Sequence, residues 1–579
     1  MSDVRDKLAD QLAQAVAALL AEAGDSGGDP PEVSLSIPRQ KSYGDFACNV
    51  AMQLAGRLRK SPRDIGTALV EKLGNAGGLV ARSEVAGPGF VNVWLAEDRW
   101  LDVLRGILEA GDRYGRSNEG KQRRIQVEFV SANPTGPLST GHGRQGVLGD
   151  CIARLLDFTD WDVTCEFYFN DGGRQMRVLG ESVKARYLEG LNEAAPPPES
   201  ALEDPENAWI ERVGDLPVVF PRDGYRGEYI REIAEGLRGE KGAALVDEDA
   251  TGVFLSAAKE TIFAEIRSTL DTIGIHFDEY FNEKSLYDDG QLDAVLAEMR
   301  AQGMIYEAEG AVWFKATALG LDRDRVVVRS NGEPTYLLPD IAYHRDKYRR
   351  GFEAIIDVMG ADHIEQFPFV RAAVGVLGCD PQRLELVLHQ FVTITSGGEK
   401  LKQSTRRANF VTIDELVEEV GVDVFRFFMV ERKAEGHLDF DLDLAKDRNW
   451  KKNPAYYVQY AHARTHGIQR KAAELGVGAA DAFDAGRLAL PEEIELIKKL
   501  GEFPGLVRRA AETREPHHVA YYLRDLAGLF HPYVQDGTRH RVVSDDAGLT
   551  SARLALMRAV QVVLSNGLWL LGISAPEQM

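Results

Sequence analysis

The sequence predicts an α/β core built to hold a nucleotide, preceded by an α+β region and followed by an all-α helical bundle. Three observations point there. From Arg124 a buried-strand run, a turn-rich loop, a helix and a second strand follow in turn (RIQVEFVSANPTGP, GRQGVLGDCIARLLDFTDW, WDVTCEFYFND), which is the order of a nucleotide-binding α/β unit. Before it, helical stretches mix with short strand-like runs and end in AGPGFVNVWL (86–95), a Gly-Pro turn entering an alternating strand. Beyond about residue 430 strand signals fade and long helical patterns run to the end. The chain divides accordingly into 1–115, 116–430 and 431–579.

At 579 residues the chain exceeds what one hydrophobic core can organise. Its first two dozen residues carry acids throughout, with apolar residues at helical spacing. They read as an amphipathic helix rather than a targeting peptide. The polar, Pro-rich stretch LNEAAPPPESALEDPE (191–206) reads as a surface loop inside the middle region. No run of about 18 apolar residues marks a membrane span, so no membrane partner is expected. Cys48, Cys151, Cys165 and Cys379 form neither a CxxC pair nor a zinc spacing. Reduced thiols in the cytoplasm, with no metal site, are the reading. The net charge of −22 excludes a general, nonspecific grip on nucleic acid. A local patch sets the field at a binding face, however, and Lys446–Lys452 with His462, Arg464, His466, Arg470 and Lys471 forms such a stripe. The plainer alternative for each of these charges is a solvated helix face.

The loop after the first strand carries the chemistry. It runs Glu128-Phe-Val-Ser-Ala-Asn133-Pro-Thr-Gly-Pro-Leu-Ser139-Thr-Gly141-His142. Pro134, Gly136 and Pro137 shape a tight approach, and Gly141 lets backbone come close to a ligand. The helix that follows turns its N-terminal amides towards phosphate, with His142 where strand becomes helix.

EFVSANPTGPL…GHGR resembles the signature loop of arginyl-tRNA synthetases, and the similarity continues along nearly the whole chain. GDFACNVAMQLA (44–55) and EVAGPGFVNVWL (84–95) look like that family's N-terminal tRNA-binding domain. FYFNDGGRQMRVLGESVKARY (167–187), PTYLLPDIAYHRDK (334–347) and GADH (360–363) look like its class I, Rossmann-type catalytic domain. HLDFDLDLAK, NPAYYVQYAHAR and the ending GLWLLGISAPEQM look like its helical anticodon-binding domain. The resemblance implies that arginine is activated by ATP to an adenylate and passed to the terminal adenosine of tRNA(Arg), initially at the 2′-hydroxyl. It also implies magnesium as the counter-ion of ATP, activation that itself requires tRNA, and a monomer.

By the same resemblance the arginine-contacting positions are Glu128, Asn133, Tyr336 and Asp340. Arginine is a planar cation with five donors, so a selective pocket needs carboxylates of this kind. A helix N-cap is the competing reading of Asp340. Ser139, Gly141, His142, Lys402 and Ser404 fall on the positions that handle ATP, with Gly360, Asp362 and His363 on the adenosine side. Tyr457, Arg464 and the final Met579 are the implied tRNA contacts, with bundle core as the alternative for the tyrosines at 456, 457 and 460.

Both ATP motifs depart from the family pattern. The first is usually His-x-Gly-His and here begins with Ser139. The second is usually Lys-Met-Ser-Lys and here reads Lys402-Gln403-Ser404-Thr405. Removing one preorganised donor costs about 3–4 kcal/mol of transition-state stabilisation. Thr140, water or the basic residues Lys121, Arg123 and Arg124 are the candidate compensators. Two alternatives therefore stay open beside the synthetase: a divergent paralogue that binds arginine or tRNA as a regulator, and one that passes activated arginine to another acceptor.

Overall fold

The computed structural model describes residues 4–25, 27–38, 40–401, 411–477 and 483–579. The amphipathic N-terminus is the helix Val4–Glu22, which buries Leu8, Leu12, Val16, Leu19 and Leu20 on one face. It packs with the helices Val50–Leu58 and Pro62–Leu73 beside a four-stranded antiparallel sheet ordered Leu35–Ser36, Phe46–Cys48, Phe90–Leu95, Val80–Ala86. The Gly-Pro turn joins the last two strands. At Gly89 (φ 143°) a Cβ would lie 2.7 Å from the Pro62 side chain, so only glycine lets the hairpin meet the helix.

The middle of the chain forms a five-stranded parallel sheet. Its strands are β1 (Arg124–Glu128), β2 (Asp162–Phe169), β3 (Glu279–Asn282), β4 (Ala354–Gly360) and β5 (Leu384–His389), in the spatial order β5-β4-β1-β2-β3. Helix α1 (Thr140–Phe158) crosses from β1 to β2, α2 (Gly173–Gly190) follows β2, and α3 (Leu337–Arg349) precedes β4. β1 is buried on both faces from Ile125 to Glu128, as a central parallel strand is, although Gln126 and Glu128 are polar. The strand order reverses between β1 and β4, and ligands bind at the carboxyl ends of strands at such a switch point.

The register sets three acids in one row across this sheet: Asp357 of β4, Glu128 of β1 and Glu166 of β2. All three are buried. Like charges facing one another across strands repel, and α3 supplies the compensation. Lys347 Nζ lies 2.5 Å from Glu128 Oε2 and 2.7 Å from Asp357 Oδ1. His344 Nε2 meets Asp357 Oδ2 at 2.7 Å, and Arg350 pairs with Glu166. Burial opposes the charge on Asp357, but Lys347 and His344 prevail and hold it well below the usual carboxylate range.

Two features differ from the sequence reading. The Pro-rich stretch is a loop with a short helix at Glu199–Glu203, yet Ala194 and Ala195 are buried, the latter donating its N–H to Pro217 O. A strand also falls beyond residue 430: Leu438–Asp441 pairs in parallel with Val392–Ser396. From Pro454 onward long helices dominate: Pro454–Glu474, Pro491–Gly501, Phe503–Thr513, His517–Gln535 and Ala547–Leu570. The last is long and apolar enough to cross a membrane by length and composition, which the sequence reading had passed over. It is mostly buried, and its Arg553 pairs with the buried Glu493 at 2.8 Å, so it serves as the core helix of the bundle.

Candidate active site

The loop from Phe129 to Ser139 leaves β1 under strain. Val130 (φ 68°) and Ser131 (φ 44°) both occupy the left-handed region, which a β-branched residue adopts only when its surroundings impose it. Ser131 is tied on both sides: its Oγ donates to Glu128 Oε1 (2.8 Å) and accepts the Tyr168 N–H (3.2 Å). Asn133 bridges to the end of β2, its Oδ1 accepting the Asn170 N–H (3.0 Å) and its Nδ2 donating to Gln175 Oε1 (3.0 Å).

Ser139 is the N-cap of α1, with extended backbone. Its N–H donates to His142 Nδ1 at 3.2 Å, and its Oγ lies 3.2 Å from the same nitrogen. A ring nitrogen that accepts an amide N–H carries no proton, so neutral His142 holds its proton on Nε2. The segment after the second ATP motif docks here: Ile413 N donates to Leu138 O (3.0 Å), and Ser139 bridges to Thr412. Lys402, Ser404 and Thr405 lie outside the described residues. Arg123 and Arg124 sit at the opposite end of β1 from this turn, Arg123 over the Trp161 ring and Arg124 on Arg350 O. They do not compensate for the missing imidazole, and neither does Lys121, next to them in sequence at that same end.

Asp340 lies in the first turn of α3 and caps nothing. Its carboxylate accepts from Gln366 Nε2, and its carbonyl accepts from His344 Nδ1 at 2.7 Å. Burial pushes its carboxyl up to about 7 against the opposing pull of His344 and Gln366. Glu283, just past β3, is a buried acid, whereas Asp340 is half-buried; Glu283 is held by Tyr168 Oη, Asn170 Nδ2 (2.8 Å) and Tyr287 Oη (3.3 Å). Burial raises its pKa too. Among the described residues neither carboxylate has a cation at ion-pair distance, whereas Glu128 has Lys347.

The structure thus gathers Glu128, Asn133, Ser139, Gly141, His142 and Gly360 along the carboxyl edge of β1 and β4. Asp340 joins them through Gln366, whose N–H donates to His363 O in the turn after Gly360. That turn, Ala361–His363, includes Asp362. Tyr336 is 69% exposed and stands on the rim. Glu283 and Gln366 escaped the sequence reading. Glu283 had a signal, an acid ending a strand in FNEK, but Gln366 reaches Asp340 only through the tertiary fold.

The expected tRNA contacts are apart from this site. Tyr457 is part of an aromatic cluster, its ring 6.0 Å from Trp450 and 4.6 Å from His531. Arg464 donates to Val534 O (3.2 Å), and Met579 is exposed. The basic stripe is partly spoken for: His462 Nδ1 meets Pro576 O at 2.8 Å, and Arg470 donates to Glu577 O.

Three family descriptions match the chain. "Arginyl tRNA synthetase N terminal domain" matches residues 6–95, and "tRNA synthetases class I (R), catalytic domain" matches 103–198 and 244–435. "DALR anticodon binding domain" matches 458–579. An arginine–tRNA ligase of Desulfotalea psychrophila is 46% identical over 548 residues, 94% of each chain. One of Salinibacter ruber is 46% identical over 96% of this chain and 98% of its own. The solved structure of the Thermus thermophilus arginyl-tRNA synthetase superposes with a TM-score of 0.76 at 24% identity, covering 99% of this chain and 100% of that one. At that identity the likeness speaks for the fold.

Proposed function

The chain belongs to the arginyl-tRNA synthetase family and is an ATP-dependent arginine–tRNA ligase, and on that premise we propose that Asp340 and Glu283 are the acids that select arginine. The observation that carries this is their chemistry: a buried and a half-buried carboxylate with no cation at ion-pair distance among the described residues, beside the switch point of the sheet. Burying charge without a partner is costly, and arginine brings a guanidinium and an α-ammonium. Glu128, already neutralised by Lys347, shapes the pocket floor, and Asn133 and Tyr336 orient the substrate from the loop and the rim.

ATP lies across the carboxyl edge of β1 and β4 in this reading, with Gly141 and Gly360 admitting its backbone-close approach. The α1 amides and the His142 Nε2–H face the phosphates. Positioning and charge stabilisation carry the rate, since the arginine carboxylate itself attacks the α-phosphate. Magnesium suits this site as a charge that travels with ATP, because the first turn of α1 carries no acid to hold it. Trp450, Tyr457 and Tyr460 offer stacking faces for unpaired anticodon bases. We take the working form to be a cytoplasmic monomer.

Steady-state charging of tRNA(Arg) tests the pocket. Asp340→Asn and Glu283→Gln should each raise KM for arginine by about 100-fold or more, because a buried polar mismatch discriminates strongly. KM for ATP should stay within about two-fold. An unchanged arginine KM in both variants would remove these acids from the pocket.

A further inference from the structure

Residues 199–243 fall between the two segments that the catalytic-domain description matches. They form the short helix Glu199–Glu203, a two-stranded hairpin (Arg212–Val213 with Leu216–Pro217) and the helix Glu228–Lys241. The last helix buries Ile230, Ile233, Ala234 and Leu237 and packs on α2, with Arg238 donating to Gly190 O at 2.6 Å. The Tyr225 N–H donates to Ser182 Oγ of α2 at 3.0 Å. This insertion is packed onto the catalytic domain through α2, and one end of it touches the signature loop.

The contact is specific. The half-buried Tyr229 donates its hydroxyl to the Thr135 carbonyl at 2.8 Å. A Cβ on Gly136 would lie 2.8 Å from the same hydroxyl, so a larger residue there would push the tyrosine off the loop. The Tyr225 hydroxyl faces the Thr135 side chain from the same side. Thr135 stands between the two halves of the loop: its N–H donates to Asn133 O at 2.7 Å, and Pro137 and Leu138 lead on to Ser139 and His142. The strained first half is held by Ser131 and its ties to Glu128 and Tyr168. The second half has Tyr229.

We propose that Tyr229, seconded by Tyr225, is a positioning residue for the ligase reaction: through Thr135 it sets the distance between Asn133 at the arginine and His142 at the ATP phosphates. The inference rests on the reading of Asn133 and His142 as substrate contacts. A near-attack geometry is lost with small displacements, and misplacement by about 1 Å from a remote change can cost about 100-fold. Removing one brace while the loop keeps its other ties should cost less.

Tyr229→Phe removes the hydroxyl and keeps the ring. The expected result is a fall in kcat for tRNA charging of about ten-fold, with KM for arginine and for ATP within about two-fold. Tyr187→Phe is the control. Tyr187 Oη makes the same kind of bond to Gly242 O, inside the packing of the insertion and away from the loop. It should match the wild type in kcat whatever its effect on melting temperature. Equal kcat in Tyr229→Phe and the wild type would overturn the proposal, as would a loss shared with Tyr187→Phe. Asn133→Ala and His142→Ala, assayed alongside, separate the premises: full activity in either would sink the site reading itself, independently of Tyr229.

Discussion

Asp340 carries the acid–base behaviour of the proposed arginine pocket. With its carboxyl pushed up to about 7 by burial, the pocket is part-protonated at neutral pH. In the proposed pocket arginine pairs with the ionised carboxylate, so its arrival would displace the proton. The sign follows: a raised folded-state pKa keeps the acid neutral below about pH 7, and affinity for arginine must fall there, by up to about ten-fold per pH unit, and level off above it. Isothermal titration calorimetry in buffers of different ionisation enthalpy at pH 7 should register proton release on binding, and Asp340→Asn should abolish it. Buffer-independent heats in the unmodified chain would contradict the raised pKa. The sequence made Asp340 and Glu128 look alike, as two acids of one pocket. Only the fold separates them, because Lys347 lies seven residues past Asp340 and reaches Glu128 by turning back over the sheet.

Helix α1 links the loop chemistry to the body of the protein, and Ser139 stands at its N-cap. Serine is among the best N-caps, and the His142 ring is oriented by the Ser139 backbone N–H, which any residue keeps. Ser139→Ala should therefore lower stability in urea by about 1 kcal/mol, while kcat for charging changes by less than about three-fold. A 100-fold loss would instead make the hydroxyl a phosphate donor in its own right. The elements around this turn were legible in sequence because each declares itself locally, though the VEFV run stays a strand only as far as Glu128 and turns out of it at Phe129 and Val130, while GRQGVLGDC forms the helix it predicts. Leu438–Asp441 was not. Its four residues alternate buried and exposed, but they lie among helical patterns, and the partner Val392–Ser396 sits more than forty residues earlier. Short non-local pairing leaves almost no trace in a window of sequence.

At the scale of the whole molecule, the catalytic and helical domains are joined through a buried charge. Arg426 is fully buried and donates to Leu571 O (3.0 Å), beyond the last helix, and to Ile273 O (2.8 Å). Its charge is balanced by Asp150 of α1, which also pairs with Arg154 at 2.8 Å, and Arg154 Nη1 reaches Trp569 O. The helix that presents His142 at one end is thus pinned along its length to the end of the anticodon-binding domain. Burial opposes the charge on Arg426, and Asp150 more than offsets it, holding the guanidinium above its ordinary value. Asp150→Ala leaves that charge without its partner. Breaking a buried pair in this way costs about 3–5 kcal/mol, far more than the net worth of an intact pair, because the remaining ion is neither solvated nor neutralised. The loss should appear in calorimetry as a lower first transition, with the helical domain melting separately from the sheet. Asp150→Asn, which keeps an acceptor for Arg426, should recover part of the difference. A wild-type melting profile for Asp150→Ala would mean that the carbonyls of Leu571 and Ile273 suffice to hold the guanidinium, and that the joint owes its strength to packing around Gly572, where a Cβ would meet Arg426, rather than to charge.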